Sequence, residues 1–333
     1  YCRTFGEARR LAKSAISQYR DLDRRVTAHA AIEASSGGAV SALRLGEQIK
    51  QLVTRLQPRA IVITYEGHSW ERIAFASARD ASPNICCIGY QHASLFNHQH
   101  ALQRSLAKQY NPDIILTSGR VSESTLIKNH HLNNTRIETL GSNRCFASHP
   151  AREFSPGTTS SPACLVLPEG IVSECNLLFS FSFECALIMP SITFIWRLHP
   201  NMHFADLARH NRSFWDLPPN IILSANTLSD DIARSHWALY RGSTSIVQAV
   251  VSGLCPVYLH QPGEIIIDTL YEVSDLRDQV VKPEDFARLV MNASKSISVS
   301  QEVQDYCENI YTPIDVNKLV SCISDSTNKE PTI

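Results

Sequence analysis

The sequence predicts an α/β protein with two domains, each built on a parallel sheet. At 333 residues it is long enough for two domains of ordinary size. Short apolar runs typical of strands alternate with helical segments, which is the pattern of right-handed βαβ units. A stretch rich in Pro, Ser, Thr and Gly at 147–162 interrupts this alternation. We therefore expect a first domain at 1–150, a second at 151–310 and a helical tail at 311–333.

The first half of the chain begins with helices rather than a strand. Residues 6–56 have helical periodicity, with a break at Ser35–Gly38. This start is unusual for an α/β domain, and the chain begins at Tyr1 rather than Met, so we expect upstream elements to be missing or unusually arranged. Four apolar, β-branched runs then predict strands at 60–64, 85–90, 113–117 and 136–140.

The alternation restarts after the Pro-rich stretch. Strands are predicted at 163–167, 192–196, 220–224, 237–240 and 255–259. Helices are predicted between them at 173–187, 227–234 and 246–252. Thr227 or Ser229 is expected to cap the second of these helices, and Gly253 is expected to end the third. The tail from Pro283 is predicted to form two or three helices.

Composition excludes several classes of function. With 44% apolar and 19% charged residues the chain is typical of a soluble folded protein, and its net charge of −1 gives no broad electrostatic reason to bind nucleic acid. No apolar run is long enough to span a bilayer. The ten cysteines include no C-x-x-C pair. We therefore expect free, buried thiols, no metal site and a cytoplasmic protein.

Three of the predicted strands in the second half end in polar or small residues. The run 192–196 continues into Arg197, His199 and Pro200, and strand 163–167 continues into Glu169. Strand 237–240 is followed by a turn that offers hydroxyls and free N–H groups for a phosphate, made of Gly242, Ser243, Thr244 and Ser245. In open α/β sheets ligands bind at the carboxyl ends of the strands. The alternative is that these residues only cap helices and loops, with Glu174 competing with Glu169 as the functional carboxylate.

Two strands of the first half also end in groups that could take part in chemistry. The residues in question are Glu66, His68, Glu71, Gln91 and His92. We expect them to line an acceptor-side wall opposite the second domain. Their spacing differs from H-E-x-x-H, so zinc is not expected. Each histidine taken alone is also compatible with an ordinary loop residue.

These motifs carry a resemblance to GT-B glycosyltransferases, which have two Rossmann-like domains with parallel sheets facing a central cleft. The pattern from Gly242 through Gln248 to Val257 resembles the donor-phosphate and ribose element of that superfamily. Glu169-Gly170 and His199-Pro200 are similar to the acidic-Gly and His-Pro motifs of bacterial sialyltransferases and Kdo transferases. The segments 65–71 and 89–92 look like those of bacterial surface-carbohydrate biosynthesis proteins.

The resemblance implies a role for each motif. Glu169 would act as the catalytic base, or as the nucleophile in a retaining enzyme, and His199 would contact the CMP phosphate and assist its departure. Ser243–Ser245 would hold the same phosphate without a divalent metal. Nucleotide contacts are also implied for Arg197, Pro200, Gly242 and Gln248. Many GT-B enzymes have Glu where this chain has Gln248, which puts a bidentate ribose contact there in doubt.

The resulting expectation is a glycosyltransferase that needs no cofactor beyond its nucleotide-sugar co-substrate. Its donor would be a CMP-activated ulosonic acid such as Kdo or sialic acid, and its acceptor a bacterial surface polysaccharide or a lipid-linked glycan. The enzyme would work in the cytoplasm, in peripheral association with the inner membrane. The alternatives are a UDP- or GDP-sugar or CDP-glycerol transferase, a sugar-nucleotide epimerase, and a non-catalytic subunit that binds glycan or nucleotide.

Overall fold

The computed structural model describes residues 2–17, 21–99, 101–128, 130–132, 135–147, 162–292 and 299–327. Within these ranges the chain forms a four-stranded and a six-stranded sheet, in which every strand pair is parallel. Apart from its two end residues, the Pro-rich stretch at 147–162 lies outside the described residues, and so does the domain boundary expected there.

Three helices precede the first strand. They are α1 (Cys2–Ser17), α2 (Asp21–Ala34) and α3 (Gly37–Leu56). Ser36 caps α3 by accepting a hydrogen bond from the Ala39 amide at 3.2 Å, so the break expected at Ser35–Gly38 is confirmed. Residues 6–56 were expected to be helical with this one break, and α1 and α2 both lie before it.

The first sheet has the strand order β1-β2-β3-β4, which follows the chain. Its elements are β1 (Ala60–Thr64), α4 (Ser69–Ala81), β2 (Cys86–Gln91), β3 (Ile114–Thr117), α5 (Arg120–Ile127) and β4 (Arg136–Thr139). The four predicted strands are therefore present, with ends that shift by a residue. Phe75, Cys87, Ile115 and Leu126 are buried together where α4 and α5 cover one face.

The second sheet has the order β10-β9-β8-β5-β6-β7. Its first elements are β5 (Ala163–Leu167), α6 (Val172–Ile188), β6 (Thr193–Trp196), α7 (Phe204–His210), β7 (Ile221–Leu223) and α8 (Leu228–Ala233). The remaining elements are β8 (Trp237–Tyr240), α9 (Ser245–Val251), β9 (Cys255–Leu259) and β10 (Asp278–Val280). The predicted caps are confirmed: Thr227 caps α8, and Gly253 follows α9 with φ +91°. Neither β10 nor α7 was predicted.

The order in which strands are added to the sheet reverses at β5, which pairs with both β6 and β8. From β5 the chain builds β6 and β7 on one side and later returns to build β8, β9 and β10 on the other. Helix α6 packs on one face of the sheet, in a core with Cys164 and Val166, and α9 packs on the opposite face with Leu165 and Leu167. The loops after β5 and β8 therefore lead to opposite faces of the sheet, and in open α/β sheets the ligand crevice forms between two such strand ends.

The tail connects the two halves of the molecule. Its helices are α10 (Pro283–Asn292), α11 (Gln301–Ile310) and α12 (Val316–Thr327). Between α11 and α12 the backbone crosses the carboxyl ends of β3 and β4, where the Ser142 amide donates to the Thr312 carbonyl at 2.7 Å and the Asp315 amide to the Leu140 carbonyl at 2.8 Å. Helix α12 then buries Cys322 against the first sheet. The carboxyl edge of the first sheet therefore faces the second domain.

Nine of the cysteines form no disulfide bond in the described part of the chain. Eight of these thiols are buried and Cys145 is exposed. Among the described helices, none is both long enough and apolar enough to cross a bilayer.

Candidate functional site

Two of the predicted motifs meet between β5 and β8, where the strand order reverses. Glu169 follows β5, and its carboxylate lies directly over Gly242, which follows β8. A Cβ added to Gly242 would stand 2.0 Å from Glu169 Oε1 and 2.5 Å from its Cδ. Only glycine leaves room for the carboxylate in this position, so the two motifs, far apart in sequence, form one structural unit.

The third predicted motif joins the same crevice through Gly170. A Cβ added to Gly170 would stand 2.8 Å from Nδ1 and 2.9 Å from Cε1 of His199, which lies on the loop after β6. In this arrangement Gly242 leaves the space for the Glu169 carboxylate, and Gly170 leaves the space for the His199 imidazole. Glu169, His199 and Gly242 are therefore neighbours, as expected from their positions at strand ends.

A backbone hydrogen bond selects the tautomer of His199. The Asn201 amide donates to His199 Nδ1 at 3.3 Å, so Nδ1 serves as an acceptor. The neutral ring then carries its proton on Nε2, which makes Nε2–H a hydrogen-bond donor. The turn that places Asn201 is closed by the Met202 amide, which donates to the His199 carbonyl at 2.8 Å.

Burial makes the Glu169 carboxyl a stronger proton acceptor than an exposed glutamate. Burial is the main cause of its raised pKa, and repulsion from the Glu174 carboxylate raises the pKa further. The Gly242 amide and the Arg241 guanidinium act in the opposite direction. Oxygen Oε1 is shielded from water and has no hydrogen-bond partner among the described residues. A buried carboxylate with an unused acceptor and a raised pKa is suited to accept a proton.

Arg241, between β8 and Gly242, is a site residue that was not predicted. Its side chain is 4% exposed and forms ion pairs with Glu174 at 3.0 Å and with Glu264 at 2.6 Å. Glu174, the alternative carboxylate considered from the sequence, is therefore engaged by a buried cation. The sequence feature that could have identified Arg241 is its position, as a charged residue at the end of a buried strand and directly before the glycine turn.

The hydroxyl turn follows Gly242 and leads into α9. Ser243 is buried, and Thr244 makes no capping hydrogen bond to the helix. Gln248, one turn into α9, donates from Nε2 to the Ser229 hydroxyl at 3.3 Å. This contact joins α9 to α8 and leaves the predicted ribose contact of Gln248 untested.

Arg197 and Pro200 were predicted to contact the nucleotide, and these contacts stay predictions. The Arg197 guanidinium donates from Nη1 to Asp231 Oδ2 at 3.0 Å and to the Asn226 carbonyl at 2.8 Å. Asp231 is fully buried and also binds Arg234. Arg197 thus neutralises a buried carboxylate beneath α8. Pro200 is exposed in the turn after His199.

Three of the residues predicted for the acceptor side form a smaller cluster on the first domain. Glu66 lies between two histidines: its Oε2 is 3.3 Å from His68 Nε2, and its Oε1 is 3.7 Å from His92 Nε2. His92 follows β2, and its Nδ1 is buried without a hydrogen-bond partner in the described chain. The carboxyl ends of β1 and β2 therefore bring these three side chains together.

Glu71 and Gln91 support this cluster instead of joining it. Both oxygens of the buried Glu71 carboxylate accept from the Glu66 amide, at 3.1 and 3.0 Å, and Oε2 also accepts from the His68 amide at 2.8 Å. This is a helix-capping arrangement for α4, so the expectation of a free acceptor-side carboxylate at Glu71 is corrected. Gln91 is buried and donates to the Ala93 carbonyl.

Cavities occur beside the cluster and away from it. A cavity of about 340 Å³ adjoins the cluster and is lined by Gly67, Arg72 and Tyr110, among others. A larger groove of about 810 Å³ lies between α1 and α2 and contains none of the predicted site residues. No group of three His, Cys, Asp or Glu side chains in the described part of the chain is arranged to hold a metal ion.

Comparison with known proteins identifies the architecture. No protein-family model matches the sequence, and no curated protein matches it. Among solved structures, MnaA of S. aureus in complex with UDP is similar, with a TM-score of 0.54 and 11% identity, over 86% of this chain and 79% of that one. UDP-GlcNAc 2-epimerase from Methanocaldococcus jannaschii gives a TM-score of 0.53 and 12% identity, over 87% and 84%.

A glycosyltransferase has a similar structure as well. SnogD from Streptomyces nogalater gives a TM-score of 0.51 at 13% identity, over 86% of this chain and 80% of that one. At these identities the likeness concerns the fold. Together with the two parallel sheets, it shows that this chain has a GT-B-like fold of two Rossmann-like domains.

Proposed function

We propose that this protein is a glycosyltransferase that uses a nucleotide sugar, and that the donor is a CMP-activated ulosonic acid. The observation that carries the proposal is the meeting of Glu169, His199 and Gly242 in the crevice between β5 and β8. Ligands of open α/β sheets bind at such a reversal of strand order. The site offers a proton acceptor, a hydrogen-bond donor and a glycine turn with hydroxyl groups.

The donor's phosphate would lie between His199 and the hydroxyls of Ser243–Ser245. His199 carries its proton on Nε2 because Nδ1 accepts from the Asn201 amide. Nε2–H can therefore donate to a phosphate oxygen as negative charge develops on the departing CMP. This arrangement would stabilise the leaving group without a divalent metal.

Glu169 would act on the acceptor hydroxyl. In the transfer step the hydroxyl oxygen bonds to the anomeric carbon, its proton passes to the Glu169 carboxylate, and CMP departs with the electron pair of the broken C–O bond. The raised pKa of Glu169 improves its proton affinity. In a retaining enzyme the same carboxylate would instead attack the anomeric carbon.

The acceptor would approach from the first domain. Glu66 and His92 lie 3.7 Å apart at the carboxyl end of the first sheet, which faces the second domain. An imidazole beside a carboxylate is suited to bind and orient sugar hydroxyls. The acceptor class we propose is a surface polysaccharide or a lipid-linked glycan, and the enzyme would meet it at the cytoplasmic face of the inner membrane.

A UDP-sugar is the main alternative donor. Two proteins of similar fold are named for UDP or for a UDP-sugar, and at 11–12% identity they support an alternative to be tested rather than an assignment. An epimerase and a transferase of this architecture would both bind the nucleotide in the same crevice. Nucleotide selectivity therefore distinguishes the donors, and product analysis distinguishes the reactions.

The test combines binding with turnover. Calorimetry with CMP, CDP, UDP and GDP should give the tightest binding for CMP; binding of UDP without CMP would reject the ulosonate donor. Release of CMP from CMP-sialic acid or CMP-Kdo should be lost in Glu169→Gln and His199→Ala while both variants stay folded. If both variants keep full turnover, the proposed site is wrong. Glycan binding without turnover of any sugar nucleotide would favour a non-catalytic subunit.

A further inference from the structure

Arg241 is a buried cation beside the proposed donor site, and its hydrogen bonds are incomplete. The guanidinium reaches Glu174 through Nη1 at 3.0 Å and Glu264 through Nη2 at 2.6 Å. Its Nε is shielded from water and has no partner among the described residues. A buried N–H group is rarely left unsatisfied in a folded protein, so the unused Nε is a position for a ligand or an ordered water.

The geometry of the guanidinium defines the kind of group that would fit. Nε and Nη2 form one edge of the planar fork and can donate two parallel hydrogen bonds to a single carboxylate or phosphate. Glu264 engages Nη2 of this edge and leaves Nε without a hydrogen bond, and the Tyr258 phenol lies close to the same guanidinium. An anion bound to both nitrogens would satisfy the whole edge, and Glu174 would keep its place on Nη1.

The two carboxylates differ in how easily they could leave Arg241. Glu174 lies in the first turn of α6, and its side chain is 19% exposed. Glu264 lies in the connection after β9, and its side chain is 51% exposed. The next two residues, Ile265 and Ile266, are also exposed, so this connection is not packed into the core. An ion pair with a half-exposed partner contributes little stability, and Glu264 is therefore the exchangeable partner.

We propose that Arg241 recognises an anionic group of the donor, and that Glu264 occupies this binding edge in the free protein. The group is the nucleotide phosphate or the carboxylate of the sugar, which offer the same pair of acceptor oxygens. The Arg241 guanidinium lies close enough to the Glu169 carboxylate to lower its pKa, so an anion held by Arg241 is placed near the proposed reacting centre. This inference rests on the proposed function and assigns the residue that selects an anionic donor.

The test removes the competing carboxylate and measures binding of CMP-sialic acid, of CMP and of inorganic phosphate. In the Glu169→Gln background, which prevents turnover, Glu264→Gln should bind CMP-sialic acid about threefold to fivefold more tightly in low salt, because one weak ion pair no longer competes. The matched control is Glu272→Gln, which makes the same charge change at an exposed carboxylate that accepts from Thr125 and Tyr271. In the same background this change should leave the affinity for CMP-sialic acid unchanged.

The source of the anion is decided in a Glu169→Gln background, which prevents turnover. If the phosphate binds Arg241, Glu264→Gln strengthens binding of CMP and of CMP-sialic acid alike. If the sugar carboxylate binds Arg241, Glu264→Gln strengthens the binding of CMP-sialic acid and leaves the affinity for CMP unchanged. In either case Arg241→Gln should abolish the gain when it is combined with Glu264→Gln. Should Arg241→Gln fail to fold, as judged by circular dichroism, the Glu264→Gln comparison decides the question alone.

The inference and the proposed function can fail separately. If CMP binds the wild type and Glu264→Gln leaves the affinities for CMP and CMP-sialic acid unchanged, the role of Arg241 is refuted and the function stands. If no nucleotide binds but inorganic phosphate binds Glu264→Gln more tightly than the wild type, the anion site stands and the proposed function fails. If Glu264→Gln and Glu272→Gln give equal gains, the effect is one of net charge and the inference is refuted.

Discussion

Replacing Gly242 with alanine should separate the catalytic role of Glu169 from its contribution to the fold. The new Cβ would stand 2.0 Å from Glu169 Oε1, and ordinary contacts begin near 3.4 Å, so the carboxylate must move by about 1.4 Å. A displacement of about 1 Å at a reacting group can lower the rate about 100-fold. We therefore expect kcat/KM to fall about 100-fold, which corresponds to about 2.7 kcal/mol of lost transition-state stabilisation.

The same substitution should change stability much less. Glu169 is half-buried, so the displaced carboxylate can turn toward water, and we expect a loss of at most about 1 kcal/mol in the free energy of unfolding. Gly37→Ala is the matched control, because a Cβ there has no neighbour within 4 Å. That variant should keep wild-type activity and gain up to about 1 kcal/mol of stability from the higher helix propensity of alanine.

The assays are steady-state sugar transfer and urea denaturation of both variants. An activity loss that far exceeds the stability loss in Gly242→Ala, with no change in Gly37→Ala, supports the placement of Glu169. If Gly242→Ala retains more than half of the wild-type kcat/KM, the carboxylate on Gly242 takes no part in the chemistry.

Three further variants test individual residues. Glu169→Gln should be at least as stable as the wild type at pH 7. Burial raises the pKa of Glu169, so the native state binds this proton more tightly than the unfolded state does. Ionisation of Glu169 therefore costs stability as the pH rises. In thermal unfolding scans this advantage should vanish below about pH 4, and a less stable variant at pH 7 would contradict it. Arg197→Ala should lose about 1 kcal/mol of stability in urea denaturation, because buried Asp231 loses a charged partner. Its nucleotide affinity, measured by calorimetry, should be unchanged. A tenfold loss of affinity would place Arg197 in the nucleotide site. Glu71→Ala should lose about 1 kcal/mol of stability with unchanged turnover, since it removes the acceptor of the Glu66 and His68 amides at the start of α4. Lost turnover in a folded variant would oppose this.

The fold class and the residues of the candidate site were accessible from the sequence because they depend on local patterns. Buried parallel strands appear as continuous apolar runs, as in Ala163–Leu167, and every strand except β10 was predicted within a residue or two of its ends. Glu169, His199 and Gly242 were identified because polar or small residues directly after such runs lie at the carboxyl edge of a sheet. Their mutual contacts support the rule in this protein.

The strand order of the second sheet was not accessible in this way. Pairing of β5 with β8 joins Cys164 to Trp237 across most of the domain, and no local pattern encodes it. Strand β10 has one buried residue in three, so it lacks the apolar run that identifies the others. It forms because β9 offers an open edge, which is a tertiary effect.

The ambiguous and missed residues have a common physical origin. Arg197 and Arg241 both follow buried strands, and the sequence does not reveal which of them meets a buried carboxylate from a distant segment. Asp231 neutralises Arg197 from 34 residues away, whereas Arg241 retains an unused Nε. Glu71 was the more avoidable error, since a carboxylate three residues after the start of a helix is a known capping pattern.

The most direct test of the central claim is a crystal structure of the protein with bound CMP. We predict a phosphate oxygen about 3 Å from His199 Nε2 and another within the same distance of a hydroxyl of Ser243–Ser245, with Glu169 facing the open side of the phosphate. A CMP molecule bound outside the crevice between β5 and β8, with His199 and the hydroxyl turn both without ligand contacts, would contradict it.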